Sequence, residues 1–195
     1  RVLFRSANSP AYGAVDLQDS KRLLEVAINE YGINFFDTSP AYSEGIAEEL
    51  LGHFSKVHNL IICTKVGRLN LSESPNWKVD VAKQSLEKSF IRLKREHIDI
   101  VLLHSPELED LENIGFLYEY LLELKSKGLI GQIGISLKSP LHWEKFKFFD
   151  FDFIQTNFNL LDVRAYVYFP EWESKKIKVL TRGPFASGIL TNRSE

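Results

Sequence analysis

Short apolar runs alternate along the chain with longer stretches in which apolar residues recur every three or four positions. The runs cover residues 33–36, 60–63, 98–103, 132–135, 151–154 and 177–180, and a shorter one covers 2–4. They are rich in β-branched and aromatic residues, and several are apolar at consecutive positions. A strand buried on both faces reads this way, because neither side of its pleat meets water. Between the runs, Leu23, Leu24, Ala27, Ile28 and Tyr31 predict one face of a helix that stops at Gly32. Ala82, Leu86, Phe90 and Leu93 predict a second, and Ile114, Leu117, Leu121 and Leu124 a third, closed by Lys125, Lys127 and Gly128. Ser139-Pro140 predicts a helix start, with Ser as the cap and Pro at the first helical position. The endings fit as well: cations suit the negative end of the helix dipole, and Gly takes the left-handed residue beyond it.

Strand then helix, repeated, implies parallel strands joined by crossovers. Two α/β architectures compete, a doubly wound open sheet and a (β/α)8 TIM barrel. An open sheet that binds a dinucleotide carries G-x-G-x-x-G after an early strand. Gly131-Gln132-Ile133-Gly134 does not match it, so the barrel is favoured. Counting the run at 2–4, about seven strands are present, one fewer than closure requires. The reading is therefore a single barrel domain over residues 1–195, truncated before its last βα unit.

Composition narrows the functional classes. The 195 residues carry 24 Lys and Arg against 26 Asp and Glu, a net charge of −2. Hydrophobic residues make up 44 % and charged residues 26 %, which excludes a disordered tail. The near-neutral balance argues against a nucleic-acid partner. No apolar run approaches the roughly 20 residues of a membrane helix, and residues 1–10 hold no signal-peptide core. The single cysteine, Cys63, cannot form an internal disulfide, which fits a reducing cytoplasm. The absence of methionine indicates a chain that begins inside a longer one. The five histidines show no zinc-type spacing, so no metal site is expected.

Three runs end in an ionisable residue: Asp37, Lys65 and His104. Strand side chains alternate faces, so each shares a face with the residue two before it: Phe35, Cys63 and Leu102. In a barrel, catalytic groups come from the carboxyl ends of different strands, and these three can meet at one mouth. Tyr42, five residues after Asp37, sits in a loop long enough to fold back over them. Read singly, Asp37 is a turn cap, Lys65 a solvated lysine, His104 a structural histidine and Tyr42 a packing residue. Read together, they form an acid catalyst. A tyrosine phenol is a weak acid with a pKa near 10. A neighbouring ammonium favours its anion, and a carboxylate keeps that ammonium charged. Such a phenol can protonate an oxygen that gains charge as a carbonyl receives hydride. Hydride itself requires a cofactor.

The motifs that carry these residues resemble the aldo-keto reductase superfamily. They are Gly32-Ile33-Asn34-Phe35-Phe36-Asp37-Thr38-Ser39-Pro40-Ala41-Tyr42, Glu48-Glu49-Leu50-Leu51-Gly52, Cys63-Thr64-Lys65-Val66-Gly67 and, on the second helix, Ser85-Leu86 and Ser89. Ile98 to Pro106, Gly128 to Ser136 and Gly183 to Thr191 follow. The resemblance implies a (β/α)8 barrel using NADPH, with NADH possible, to reduce a small-molecule carbonyl substrate such as an aldehyde, ketone or sugar. It implies Tyr42 as the acid, Lys65 as its modifier, Asp37 as the partner of Lys65 and His104 as the substrate-orienting residue. It also implies Ser136 and Gln155 at the nicotinamide carboxamide and Arg182 stacked where many members place Tyr. Gly183, Pro184, Phe185, Gly188 and Leu190 would lie in the loop over the pyrophosphate. Leu137 stands where members often have Asn, and Pro10-Ala11-Tyr12-Gly13 is similar to a subgroup encoded with surface-polysaccharide enzymes. Two other readings remain: a non-catalytic barrel with a sensing or scaffold role, and a Schiff-base enzyme with Lys65 as nucleophile.

Overall fold

A computed structural model describes residues 16–55 and 59–191. The expected strand at 2–4, the Pro10–Gly13 motif and His58 lie outside the described residues. Among the described residues there are six strands: β1 (Phe35–Asp37), β2 (Ile61–Val66), β3 (Ile98–His104), β4 (Ile130–Ser136), β5 (Phe153–Asn157) and β6 (Lys178–Arg182). They form one sheet in chain order, and every neighbouring pair is parallel. The sheet is rolled. In a flat sheet β1 and β5 would stand about 19 Å apart, four strand spacings. Instead the Gln155 side chain on β5 donates to Asp37 on β1 at 3.0 Å. Rolled and parallel in chain order, with six strands among the described residues, this is the (β/α)8 barrel arrangement favoured over the open sheet.

Rolling gives the sheet two apolar layers. Outward-facing side chains such as Phe36, Ile62, Val101, Leu103, Ile133, Ile135 and Ile154 join the helices in the main core. Inward-facing Cys63, Ile100, Leu102 and Phe153 form a smaller cluster along the barrel axis, with Phe35 and Leu180 packed against it. The inner layer is tight. A Cβ on Gly134 would lie 2.4 Å from the Phe153 carbonyl oxygen and 2.6 Å from Leu102 Cδ2.

The helices are α1 (Leu17–Asn29), α2 (Ile46–Phe54), α3 (Val79–Leu93), α4 (Leu111–Ser126), α5 (Trp143–Phe146) and α6 (Phe169–Ser174). Asp16 caps α1 by accepting from the Gln18 N–H. The buried stripe of α1 is Ser20, Leu24, Ala27 and Ile28. Leu23 and Tyr31, expected on that face, are exposed, because Leu23 is turned about 100° from Leu24 and Tyr31 lies past the helix end. In α3 and α4 the predicted residues are buried, with Phe90 at the margin. Ser139 caps as expected, accepting from the Leu141 N–H, but it opens only a 3-10 turn (Pro140–His142) followed by the single turn of α5. Buried Trp143 on α5 meets buried Trp172 on α6 edge to face, with ring centres 6.0 Å apart, so aromatic packing holds these short helices on the sheet. No helix among the described residues is long and apolar enough to cross a membrane.

Candidate active site

The candidate catalytic side chains lie at the carboxyl ends of the strands or just beyond them, with Gln155, midway along β5, level with Ser136. Asp37 ends β1, Lys65 is the last residue but one of β2, and His104 and Ser136 end β3 and β4. Ladder register sets His104 opposite Ser136, and Ser136 opposite Gln155 on β5. After β1 the backbone pairs once more, Thr38 N–H to the Cys63 carbonyl, and then turns back. The turn is closed by the Tyr42 N–H on the Ser39 carbonyl, and it lays the Tyr42 ring inside the mouth, 4 % exposed.

Lys65 is the centre of the cluster. Its Nζ donates to Asp37 Oδ1 at 2.7 Å and to the Thr38 carbonyl at 2.7 Å, and it sits 4.8 Å from the centre of the Tyr42 ring. Burial alone would favour the neutral amine, but the charge of Asp37, helped by smaller contributions from Tyr42 and Cys63, outweighs it and raises the Lys65 pKa. Lys65 is therefore an ammonium at neutral pH. The Tyr42 ring also meets the His104 ring edge to face, 5.9 Å between centres. Burial is the main reason that the His104 pKa falls to about 2, with the positive charges of Lys65 and Arg68 adding to it and Asp37 opposing. His104 is neutral at pH 7, and its Nδ1 lies 3.1 Å from Ser39 Oγ.

A row of hydrogen bonds extends from this cluster. Asp37 Oδ1, already bonded to Lys65, accepts from Gln155 Nε2 at 3.0 Å, and Gln155 Oε1 accepts from Ser136 Oγ at 2.9 Å. The row ties β1, β2, β4 and β5 together through side chains that are all nearly sealed from water. Beside it a cleft of about 380 Å³ opens between β1 and β6, lined by Phe35, Asp37, Gln155 and Leu180 among others. Arg182, ending β6, donates through Nη2 to the Leu137 carbonyl at 2.6 Å. Leu137 itself is buried in the main core, so that position contributes backbone rather than an amide side chain. Gly183 follows at φ +64° with its carbonyl accepting from Asn159 Nδ2. Pro184, Phe185, Gly188 and Leu190 form the turn beyond it, where Pro184 and Phe185 are exposed.

Ser39 and Glu48 are among the residues of this region that received no role from the sequence. Ser39 contacts His104, and the signal was its place inside the Asp37–Tyr42 motif. Glu48 on α2 is fully buried, accepting from Thr64 Oγ1 at 2.6 Å and pairing with Arg92 of α3 at 3.2 Å. It clamps β2 one residue before Lys65, from the face opposite the mouth. Burial raises the Glu48 carboxyl pKa, although Thr64, Ser89 and Arg92 all pull it down. Its signal was an acidic residue on the apolar face of a short helix. Among the described residues there is no group of three or more side chains arranged to hold a metal ion.

Comparison with known proteins places these features. The model of the aldo/keto reductase family matches residues 5–195. The oxidoreductase YqkF of Bacillus subtilis, itself uncharacterized, is 36 % identical over 178 residues, 88 % of this chain and 57 % of its own. A D-arabinose 1-dehydrogenase of Saccharomyces cerevisiae is 38 % identical over 113 residues, 54 % of this chain and 33 % of its own. Among solved structures, the holo form of the aldo-keto reductase AKR11C1 from Bacillus halodurans superposes with a TM-score of 0.80 at 29 % identity, covering 92 % of this chain and 62 % of that one. The chain thus spans less than two thirds of the length of these proteins.

Proposed function

Because the chain belongs to the aldo/keto reductase family, we propose that the protein reduces the carbonyl group of a small aldehyde, ketone or sugar with hydride from NADPH or NADH, Tyr42 acting as the general acid. The observation that carries this reading is the buried Lys65–Asp37 pair set against the Tyr42 ring with His104 edge-on beside it. As a carbonyl oxygen gains negative charge, Tyr42 supplies a proton, and the Lys65 ammonium stabilises the charge left on the ring oxygen. Asp37 and the Thr38 carbonyl hold that ammonium in place. His104, neutral, offers a ring nitrogen to orient the carbonyl. The Tyr42 hydroxyl makes no hydrogen bond among the described residues, which leaves it available to substrate.

A bound nicotinamide would supply the hydride, which no side chain carries. The donor set suits that group: the Ser136 hydroxyl and the Gln155 amide together offer donors and acceptors that match a primary carboxamide. Ser136 and Gln155 would hold it, and the planar Arg182 guanidinium would lie against the ring. Gly183, Pro184, Phe185, Gly188 and Leu190 would cover the pyrophosphate. A relative named for D-arabinose brings sugars among the substrates to try.

A Schiff-base role for Lys65 requires a neutral amine, and the Asp37 carboxylate opposes it. The test is nucleotide consumption by the intact protein, NADPH against NADH, with a panel of aldehydes, ketones and sugars. Tyr42→Phe should lower turnover by about two to four orders of magnitude. Full turnover in that variant overturns the assignment of the acid. Borohydride with a carbonyl substrate should leave no mass adduct on Lys65.

A further inference from the structure

Ser39 is completely buried, and the roles given to the cluster do not use its hydroxyl. Among the described residues its Oγ has two hydrogen-bonding neighbours, the Ala41 N–H at 3.2 Å and His104 Nδ1 at 3.1 Å. The Ala41 N–H can only donate, so it takes a lone pair of Oγ. The hydroxyl hydrogen of Ser39 then needs an acceptor, and Nδ1 is the polar atom in reach. Were Nδ1 protonated, Oγ would face two donors, and its own hydrogen would point at no acceptor among the described residues. A buried polar hydrogen left unpaired is costly, and native interiors rarely contain one.

We propose that Ser39 is a positioning residue that fixes the tautomer of His104, donating to a bare Nδ1 so that the ring's proton sits on Nε2. The neutral state that burial imposes on His104 is what makes the choice of tautomer matter, since a charged imidazole would carry hydrogen on both nitrogens. With Nδ1 engaged by Ser39, Nε2–H is the donor left for a ligand. Rotating the ring by half a turn would give up the Ser39 contact, so the same bond fixes both the tautomer and the orientation of the ring. For its catalytic meaning this rests on the carbonyl-reduction reading, in which a carbonyl oxygen accepts from Nε2–H beside Tyr42.

The tautomer can be read without any turnover. In the intact protein with 15N-labelled histidine, long-range proton–nitrogen correlation should show His104 Nδ1 as a bare nitrogen and Nε2 as a protonated one. Ser39→Ala should shift both resonances toward intermediate values as the two tautomers mix, and Ser39→Thr, which keeps the hydroxyl, should restore the original spectrum. In kinetics Ser39→Ala should raise KM for the carbonyl substrate about tenfold, the loss of one oriented hydrogen bond, with nucleotide affinity unchanged. A protonated Nδ1 in the unsubstituted protein overturns the proposal, as do Ala and Thr variants with the same spectrum. If the Ala variant does not fold, Ser39→Cys, a much weaker donor of similar size, takes its place in the same comparison. The expected tautomer in a protein that consumes neither nucleotide would sink the carbonyl-reduction reading and leave this one standing. A protonated Nδ1 in an active enzyme would do the reverse.

Discussion

Lys65 and Asp37 illustrate at the residue scale how a charged pair survives inside a protein. Their side chains are 0 % and 3 % exposed, and each would be costly to bury alone. Together, 2.7 Å apart, with the Thr38 carbonyl and the Gln155 amide taking up further hydrogen-bonding capacity, they satisfy one another. Breaking the pair from one side should be worse than removing both partners. Lys65→Met leaves a buried carboxylate without its ammonium partner, and we expect it to lower unfolding free energy by about 3–5 kcal/mol in urea titrations. Lys65→Met with Asp37→Leu should recover a large part of that loss. A double variant no more stable than the single one would mean that the cost lies in packing rather than in charge.

At the scale of elements, the parallel order of the sheet and the helices α1, α3 and α4 were legible in the sequence, because each follows from a run or a stripe of apolar residues. Strand ends were not. The run at 60–63 stops before Thr64, yet β2 continues through Lys65 to Val66, and β5 and β6 extend past their runs to Asn157 and Arg182. A backbone ladder pairs without regard to side-chain polarity, so a reading by hydrophobicity stops where the polar mouth begins. The residues that carry the site are the ones that make its strands look short. Of the candidate site, Asp37, Lys65 and His104 were singled out by their positions at run ends, and Tyr42 by the loop that follows Asp37. The contacts Ser39–His104 and Glu48–Thr64 were not, because they join residues 65 and 16 apart in the chain and no local pattern encodes them. Helices α2, α5 and α6 are too short for a stripe to stand out. Gly134 also needed the fold to explain it. Gly134→Ala should drive a methyl against the Phe153 carbonyl and cost about 1–3 kcal/mol, seen as a lower urea midpoint with an unchanged slope.

The whole molecule sums groups whose proton affinities move in opposite directions on folding. His104 binds its proton far less readily in the fold, at about 2 against an ordinary 6.5, so the unfolded chain takes up more protons below pH 6.5 and stability falls as the pH falls. At pH 5 this group alone costs about 2 kcal/mol. Glu48 acts the other way: its folded pKa is raised from 4.5, so its contribution grows as the pH falls through that raised value toward 4.5. Lys65, with its pKa raised above 10.5, holds its full contribution at both ends of this range. His104→Gln should therefore narrow the gap between unfolding free energies at pH 8 and pH 5 by about 2 kcal/mol. An unchanged gap would show that His104 keeps its proton in the fold. Rolling the sheet has one more consequence. Ser136, Gln155, Asp37 and Lys65 come from four strands, yet they share one unbroken series of hydrogen bonds. A guest that competes for the Gln155 amide alters the field at Asp37, and so the hold of Lys65 on its proton. Thermodynamic reciprocity then requires the converse: proton concentration sets how tightly the guest is held, to the same degree that the guest shifts the proton.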